Sequence, residues 1–180
     1  GDCFIAHATL QLFKQLHLDY QICKPTDTFT NQTIFYGGGG NLIKKYKSCR
    51  NFLLNNHNKN KIVVLPQSIT DCDDLLTCLS KDVILFAREN TSFNYIKSKM
   101  AYPNNALLSG DMSFHIKGLG KYDNITSTGI CNAFRIDDEL TNTNDHVKVP
   151  INNKDISIDF FRPIYMKNWH MSEDINAQVE

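Results

Sequence analysis

The chain lacks the features that would assign a function by motif alone. It has no C-x-x-C pair: Cys3, Cys23, Cys49, Cys72, Cys78 and Cys131 are spread through apolar segments. That pattern excludes zinc-knuckle and thioredoxin-like sites, and buried free thiols in a reducing compartment are the expected state. Neither charge is in excess, since 19 basic residues balance 19 acidic ones. No Lys/Arg cluster interleaved with aromatics occurs beyond Lys44, Lys45 and Lys47 on one predicted helix, so nucleic acid is not an expected partner. No apolar run is long enough for an integral membrane segment, and the opening residues do not read as a cleavable signal, although a signal or a first strand upstream of Gly1 is left open. The expectation is a cytoplasmic protein, peripheral to a membrane at most. Sequons at Asn31, Asn90 and Asn124 matter only in a secreted chain.

What is present is enough apolar material for a real core, 42% of the residues, in a length that fits one domain or one domain with part of a second. The chain is organised around Thr33-Ile-Phe-Tyr-Gly-Gly-Gly-Gly-Asn41. Ile34, Phe35 and Tyr36 read as the end of a buried strand. Leu42, Ile43, Tyr46, Cys49, Phe52 and Leu53 follow at helical spacing, predicting strand, glycine turn and a helix to about Asn55. Main-chain N–H groups that open a helix have no intrahelical partner, so Gly38, Gly39, Gly40 and Asn41 are candidate contacts for a phosphate or carboxylate. The alternative is a tight turn in which glycine only permits close packing. The run is neither a Walker loop nor a dinucleotide fingerprint.

Elsewhere the pattern alternates. Cys3 to Leu18 carries Phe4, Ile5, Ala8, Leu12, Phe13 and Leu16 on one helical stripe, with Asp2 placed as a cap. Tyr20–Cys23 is a short strand candidate. The Lys61–Leu65 strand has four successive apolar residues, Ile62 to Leu65, as a strand covered on both faces has, and is predicted to stop at Pro66, Gln67 and Ser68. A short helix over Asp71–Leu79, a strand over Val83–Ala87, a helix from Phe93 to Met100 and a short strand at Ala106–Ser109 complete the series. Polar residues gather after each strand: Gln67 and Ser68, then Arg88 with Ser92, then Asp111. Alternation with continuously apolar strands implies an α/β fold, a Rossmann-like, doubly wound, mostly parallel sheet with right-handed crossovers. Its carboxyl edge is where ligands bind. Arg88 can fork onto an anion there, or pair structurally with Glu89 or Asp111. No metal site emerges. Asp71, Asp73 and Asp74 open a short helix, where the dipole already favours carboxylates, and the histidines His7, His17, His115 and His146 lack partners at ligand spacing.

The ordered set of Gly1-Asp2, the glycine run with Asn41, Pro66-Gln67-Ser68, Ala87-Arg88-Glu89 with Ser92, Gly110-Asp111 with Phe114, and Phe134-Arg135 with Asp137-Asp138-Glu139 resembles the polysaccharide pyruvyl transferase family. The resemblance covers Gly1 to Leu140. It implies an N-terminal Rossmann-like domain over residues 1–128 of a glycosyltransferase-B-like pair, with 129–180 as the start of a second domain or a shortened one. It also implies transfer of pyruvate from phosphoenolpyruvate, the donor substrate, to a glycan acceptor as a ketal, with no further cofactor. Arg88 would be an anion contact, Asp2 a polar residue of the cleft, and the glycine loop with Asn41 part of its wall. The family's second domain equals the first in size and brings an Arg/His motif that Trp169-His170 does not match, so a fragment or a shortened member is expected. Two other readings stand beside it: a nucleotide-sugar glycosyltransferase of similar build, and a truncated homologue serving as a binding module. Oligomeric state is left open.

Overall fold

The computed structural model describes residues 2–117 and, beyond them, the strands Cys131–Ala133 and Ile156–Ile158. It divides into two compact units, one built on Asp2–Lys117 and one on Gly118–Gln178. In the first, chain order runs α1 (Asp2–Gln15), β1 (Thr33–Tyr36), β2 (Gly39–Leu42), α2 (Ser48–Asn56), β3 (Lys61–Ile69), α3 (Asp73–Cys78), β4 (Val83–Ala87), α4 (Asn90–Lys99) and β5 (Ala106–Leu108), with 3-10 turns at Pro103–Asn105 and Met112–His115. In the second, β6 (Cys131–Ala133) and β7 (Ile156–Ile158) pair in parallel. The residues from Ile130 to Ile136 read as a strand in the sequence; Cys131–Ala133 of them form β6, and the others lie outside the described residues.

The sheet of the first unit is parallel throughout, in the order β1-β3-β4-β5, with β2 also paired to β3. Helices cover both faces. Leu42, Phe52, Leu53, Leu75, Leu76, Ile96 and Met100 join Ile62, Val64, Val83 and Leu85 in the larger core, so α2, α3 and α4 share one face. Ile5 and Phe13 of α1 pack with Leu65 and Met112 on the other, a much smaller cluster. The apolar stripe of α1 is narrower than its sequence suggests, because Phe4 and Leu16 are 41% and 58% exposed. Burying Ile5 and Phe13 contributes roughly 1.5–3 kcal/mol each.

Several expectations are corrected here. Proline has no N–H to donate to a ladder, yet Pro66 does not end β3, which runs on to Ile69. Pro66 is tolerated because it falls in a gap: the β1 partnership ends at Tyr36↔Val64 and that of β2 begins at Gly39↔Gln67. On the other side, Val64 and Gln67 of β3 oppose Leu85 and Ala87, so β3 holds one extra residue there. The bulge shifts the side-chain phase, and Ile69 rather than Ser68 joins the larger core. β1 is an edge strand with Phe35 41% exposed, not a buried one, since only β3 pairs with it. Tyr20–Cys23 is no strand: its side chains are exposed and it joins no ladder. Cys23 and Cys78 are exposed thiols, whereas Cys49 and Cys72 are buried as expected.

The helix expected to open at the glycines starts at Ser48 instead. Leu42 is already committed to β2, buried and paired with Ile69, so the helical phase begins only with Cys49, Phe52 and Leu53. Lys44, Lys45 and Lys47 therefore lie on the connection before α2. The glycines have separate reasons for being there. A Cβ on Gly38 would stand 2.8 Å from the Pro66 carbonyl oxygen, and Gly39 has φ +123°, whereas a Cβ on Gly40 meets nothing closer than 3.8 Å. Gly38→Ala is thus expected to cost about 1–3 kcal/mol through overpacking against main chain. Gly40→Ala should stay within about 0.5 kcal/mol of the native protein. Urea denaturation of the two variants checks the contrast, and equal losses would contradict it.

Candidate functional site

Residues from four connections converge at the carboxyl end of β3 and β4. The side chain of Gln67 joins two of them. It is 0% exposed, its Oε1 accepts the Asn41 N–H at 2.9 Å, and its Nε2 donates to the Gly37 carbonyl at 2.5 Å. Both partners are main chain, which fixes the orientation of the amide. Its own carbonyl accepts the Arg88 N–H at 3.0 Å, so β2, β3 and β4 meet at this residue.

From that platform Arg88 reaches outward. Its Nε donates to Ser68 Oγ at 2.8 Å and its Nη1 to Asp111 Oδ2 at 3.0 Å, with Glu89 Oε2 3.8 Å from Nε. Both ion pairs weighed from the sequence are formed. Nη2 faces the glycine strip, 3.8 Å from where a Cβ of Gly40 would be. On the other side of the strip stands Asp2, whose Oδ1 lies 3.7 Å from the corresponding point on Gly39. The exposed Asp2 carboxylate and the guanidinium thus flank bare main chain.

Asp2, Gly38, Gly39, Gly40, Asn41, Gln67, Ser68, Arg88 and Asp111 are brought together by this geometry. Ser92 is tied in from behind. Its buried hydroxyl accepts the Ile69 N–H at 2.7 Å and donates to Glu89 at the start of α4, which anchors that helix to β3. The reading of Gly39, Gly40 and Asn41 as the N–H groups of a helix start does not hold, because Gly39–Leu42 is a strand. What the strip offers is lateral access to main chain without side chains.

Ser113 escaped the sequence reading. Its N–H and hydroxyl bond Asp111 Oδ1 at 2.9 and 2.8 Å, which makes Asp111 the cap of the Met112–His115 turn. The Asp-x-Ser spacing is the signal that could have found it. Burial works against the Asp111 carboxylate, but the Ser113 N–H and hydroxyl and the Arg88 guanidinium together outweigh it and hold its carboxyl below the usual range. The shallow depression lined by Lys44, Asp71, Asp73 and Asp74 is a weaker candidate. Asp73 is already engaged by Lys99 and Tyr95, and Asp74 by Arg50. Among the described residues no group of His, Cys, Asp and Glu could hold a metal ion, and no helix is long and apolar enough to cross a membrane.

Since the folded-state carboxyl of Asp111 is depressed relative to an unfolded value of about 3.9, its contribution to stability is present above that pH and lost as the pH falls through the folded value. Urea midpoints measured between about pH 5 and pH 2 should therefore fall less steeply for Asp111→Asn than for the native protein. Parallel profiles would show that the pair carries no such linkage.

Comparison with known proteins follows the same lines. A family model described as "Polysaccharide pyruvyl transferase" matches residues 1–176. The crystal structure of a functionally uncharacterised protein from Klebsiella pneumoniae is similar, with a TM-score of 0.63 and 32% identity over 76% of this chain. The match covers 55% of that protein's chain, so the present chain spans little more than half its length. No curated protein matches. With nearly all of its length matched and its parallel sheet shared with a solved relative, the chain belongs to the polysaccharide pyruvyl transferase family.

Proposed function

We propose that the protein transfers pyruvate from phosphoenolpyruvate to a sugar of a cell-surface or exported polysaccharide, closing a ketal. The observation that carries this reading is the Arg88 guanidinium, held at Nε by Ser68 and at Nη1 by Asp111, with Nη2 unpartnered among the described residues and turned toward side-chain-free backbone at Gly40. A fixed guanidinium beside open main chain suits one oxygen of a carboxylate or phosphate, because a charge-assisted hydrogen bond in a preorganised site needs no rearrangement as charge develops.

The reaction adds one acceptor hydroxyl to the enol carbon of the donor as a proton moves onto its methylene carbon; a second acceptor hydroxyl then bonds the same carbon, gives up its proton and displaces phosphate, which closes the ketal. Asp2, exposed across the strip, is placed to take the proton of an attacking hydroxyl. Arg88 does not meet the whole charge of the donor. Asp111 lies 3.0 Å from it and Glu89 3.8 Å away, so the local balance is negative and a phosphate together with a carboxylate requires further cations.

Incubation of the protein with phosphoenolpyruvate and a galactose- or mannosamine-type acceptor should release phosphate only when the acceptor is present. Arg88→Ala should lower that release by roughly 10²–10³-fold, the usual loss on removing one preorganised donor. Arg88→Lys should recover little, because an ammonium cannot bond Ser68, Asp111 and substrate in one plane. Acceptor-independent release, or thermal stabilisation by UDP- or GDP-sugars but not by phosphoenolpyruvate, would move the reading to a nucleotide-sugar glycosyltransferase.

A further inference from the structure

Both oxygens of Asp111 are engaged within the protein. Oδ1 accepts from the Ser113 N–H at 2.9 Å and from its hydroxyl at 2.8 Å, while Oδ2 accepts from Arg88 Nη1 at 3.0 Å. The carboxylate is also the more enclosed partner, its side chain 17% exposed against 32% for Arg88. A group so held is poorly placed to meet a ligand itself. It is well placed to fix something that does.

Arg88 is the group it fixes. The guanidinium is planar, so bonds to Nε and Nη1 leave no freedom to the third nitrogen. Ser68 Oγ takes Nε and Asp111 takes Nη1, and among the described residues no acceptor meets Nη2. The direction of Nη2 is toward Gly40, where a Cβ would stand 3.8 Å from it. Gly40 needs no special backbone conformation and its Cβ would meet no closer atom, so nothing in the packing demands glycine there. The missing side chain leaves space beside the one guanidinium nitrogen that lacks a partner among the described residues.

We propose that Asp111, cross-braced by Ser113, is a positioning residue that aims Arg88 Nη2 at the bare main chain of Gly40, and that Gly40 sets specificity by leaving room there for a single oxygen of an anionic substrate group. The inference rests on the pyruvyl-transfer reading only for naming that group as the phosphate or carboxylate of phosphoenolpyruvate. Asp111 touches no substrate, whereas Arg88 does. The Ser113–Asp111–Arg88–Ser68 chain is a single unit in which each member restricts the next.

The test is made on the intact protein with arginine labelled in nitrogen-15. In the native protein the two amino nitrogens of Arg88 should give separate resonances, because both ends of the guanidinium are held against rotation. Asp111→Asn keeps an oxygen to cap Ser113 but loses the charged grip on Nη1, so the two resonances should merge while the circular dichroism spectrum stays native. Binding of phosphoenolpyruvate and of inorganic phosphate, measured by calorimetry, should weaken about tenfold in the same variant. Ser113→Ala removes only the hydroxyl brace and should give a smaller change in the same direction. Gly40→Ala should weaken both ligands about tenfold as well, with the Arg88 resonances still separate, since it fills the space without loosening the guanidinium. Separate resonances together with native affinity in Asp111→Asn overturn the positioning role, and native affinity in Gly40→Ala overturns the specificity role. Should the resonances merge and both ligands weaken as expected while the native protein shows no acceptor-dependent phosphate release from phosphoenolpyruvate, positioning stands and the pyruvyl-transfer reading falls.

Discussion

A buried amide holds this half of the protein in register. Gln67 sits where proline removes an N–H from the third strand and where the edge strand beside it is interrupted by two glycines. Without a side chain to bridge the interruption, the half-buried Asn41 N–H and the exposed Gly37 carbonyl would lose a partner within the protein, at a cost of about 0.5–1.5 kcal/mol each. The Gln67 amide satisfies both and its carbonyl receives Arg88. One residue thereby sets the distance between the glycine strip and the guanidinium, and the rest of the constellation inherits that distance.

The electrostatics follow from this placement. Among the described residues Arg88 has more negative than positive charge around it, with Asp111 and Glu89 both within 4 Å. A guanidinium in that setting is strongly held but largely neutralised, so its contribution is directional more than Coulombic. Asp111 stays ionised for the same reason, with hydrogen bonds outweighing the penalty of enclosure. The cluster works as a pointer, and a heavily charged substrate has to find attraction elsewhere.

Much of the fold was legible in the sequence, and most of the places that were not share one cause. The continuous apolar runs at residues 62–65 and 83–87 declared strands covered on both sides, and the alternation with helical segments implied the parallel sheet. Polar residues after each strand marked the convergent edge, because Gln67, Ser68, Arg88 and Asp111 follow apolar runs directly. The errors cluster around residues 36–48 and 66–69. Leu42, Ile43 and Tyr46 imitate a helical period, but pairing with β3 overrides local propensity, and a proline inside a strand reads as a stop unless the missing neighbour is known. Pairing is non-local, so no window of sequence contains it. The brace from Ser113 was missed for a different reason: Asp111 read as a polar group at a ligand edge, and its neighbour two residues on was not considered as a competitor for it.

The unequal covering of the two faces carries a mechanical consequence. Among the described residues, the core cluster on one face has seventeen buried members and the cluster beneath the first helix has four. Free energy of detachment scales with the apolar area that water must cover, so the first helix can lift away by sub-global opening long before the strands part. The strip between Asp2 and Arg88 lies under that loosely seated element. Breathing of this kind would uncover more of the glycine strip without disturbing the ladder in which Arg88 is anchored.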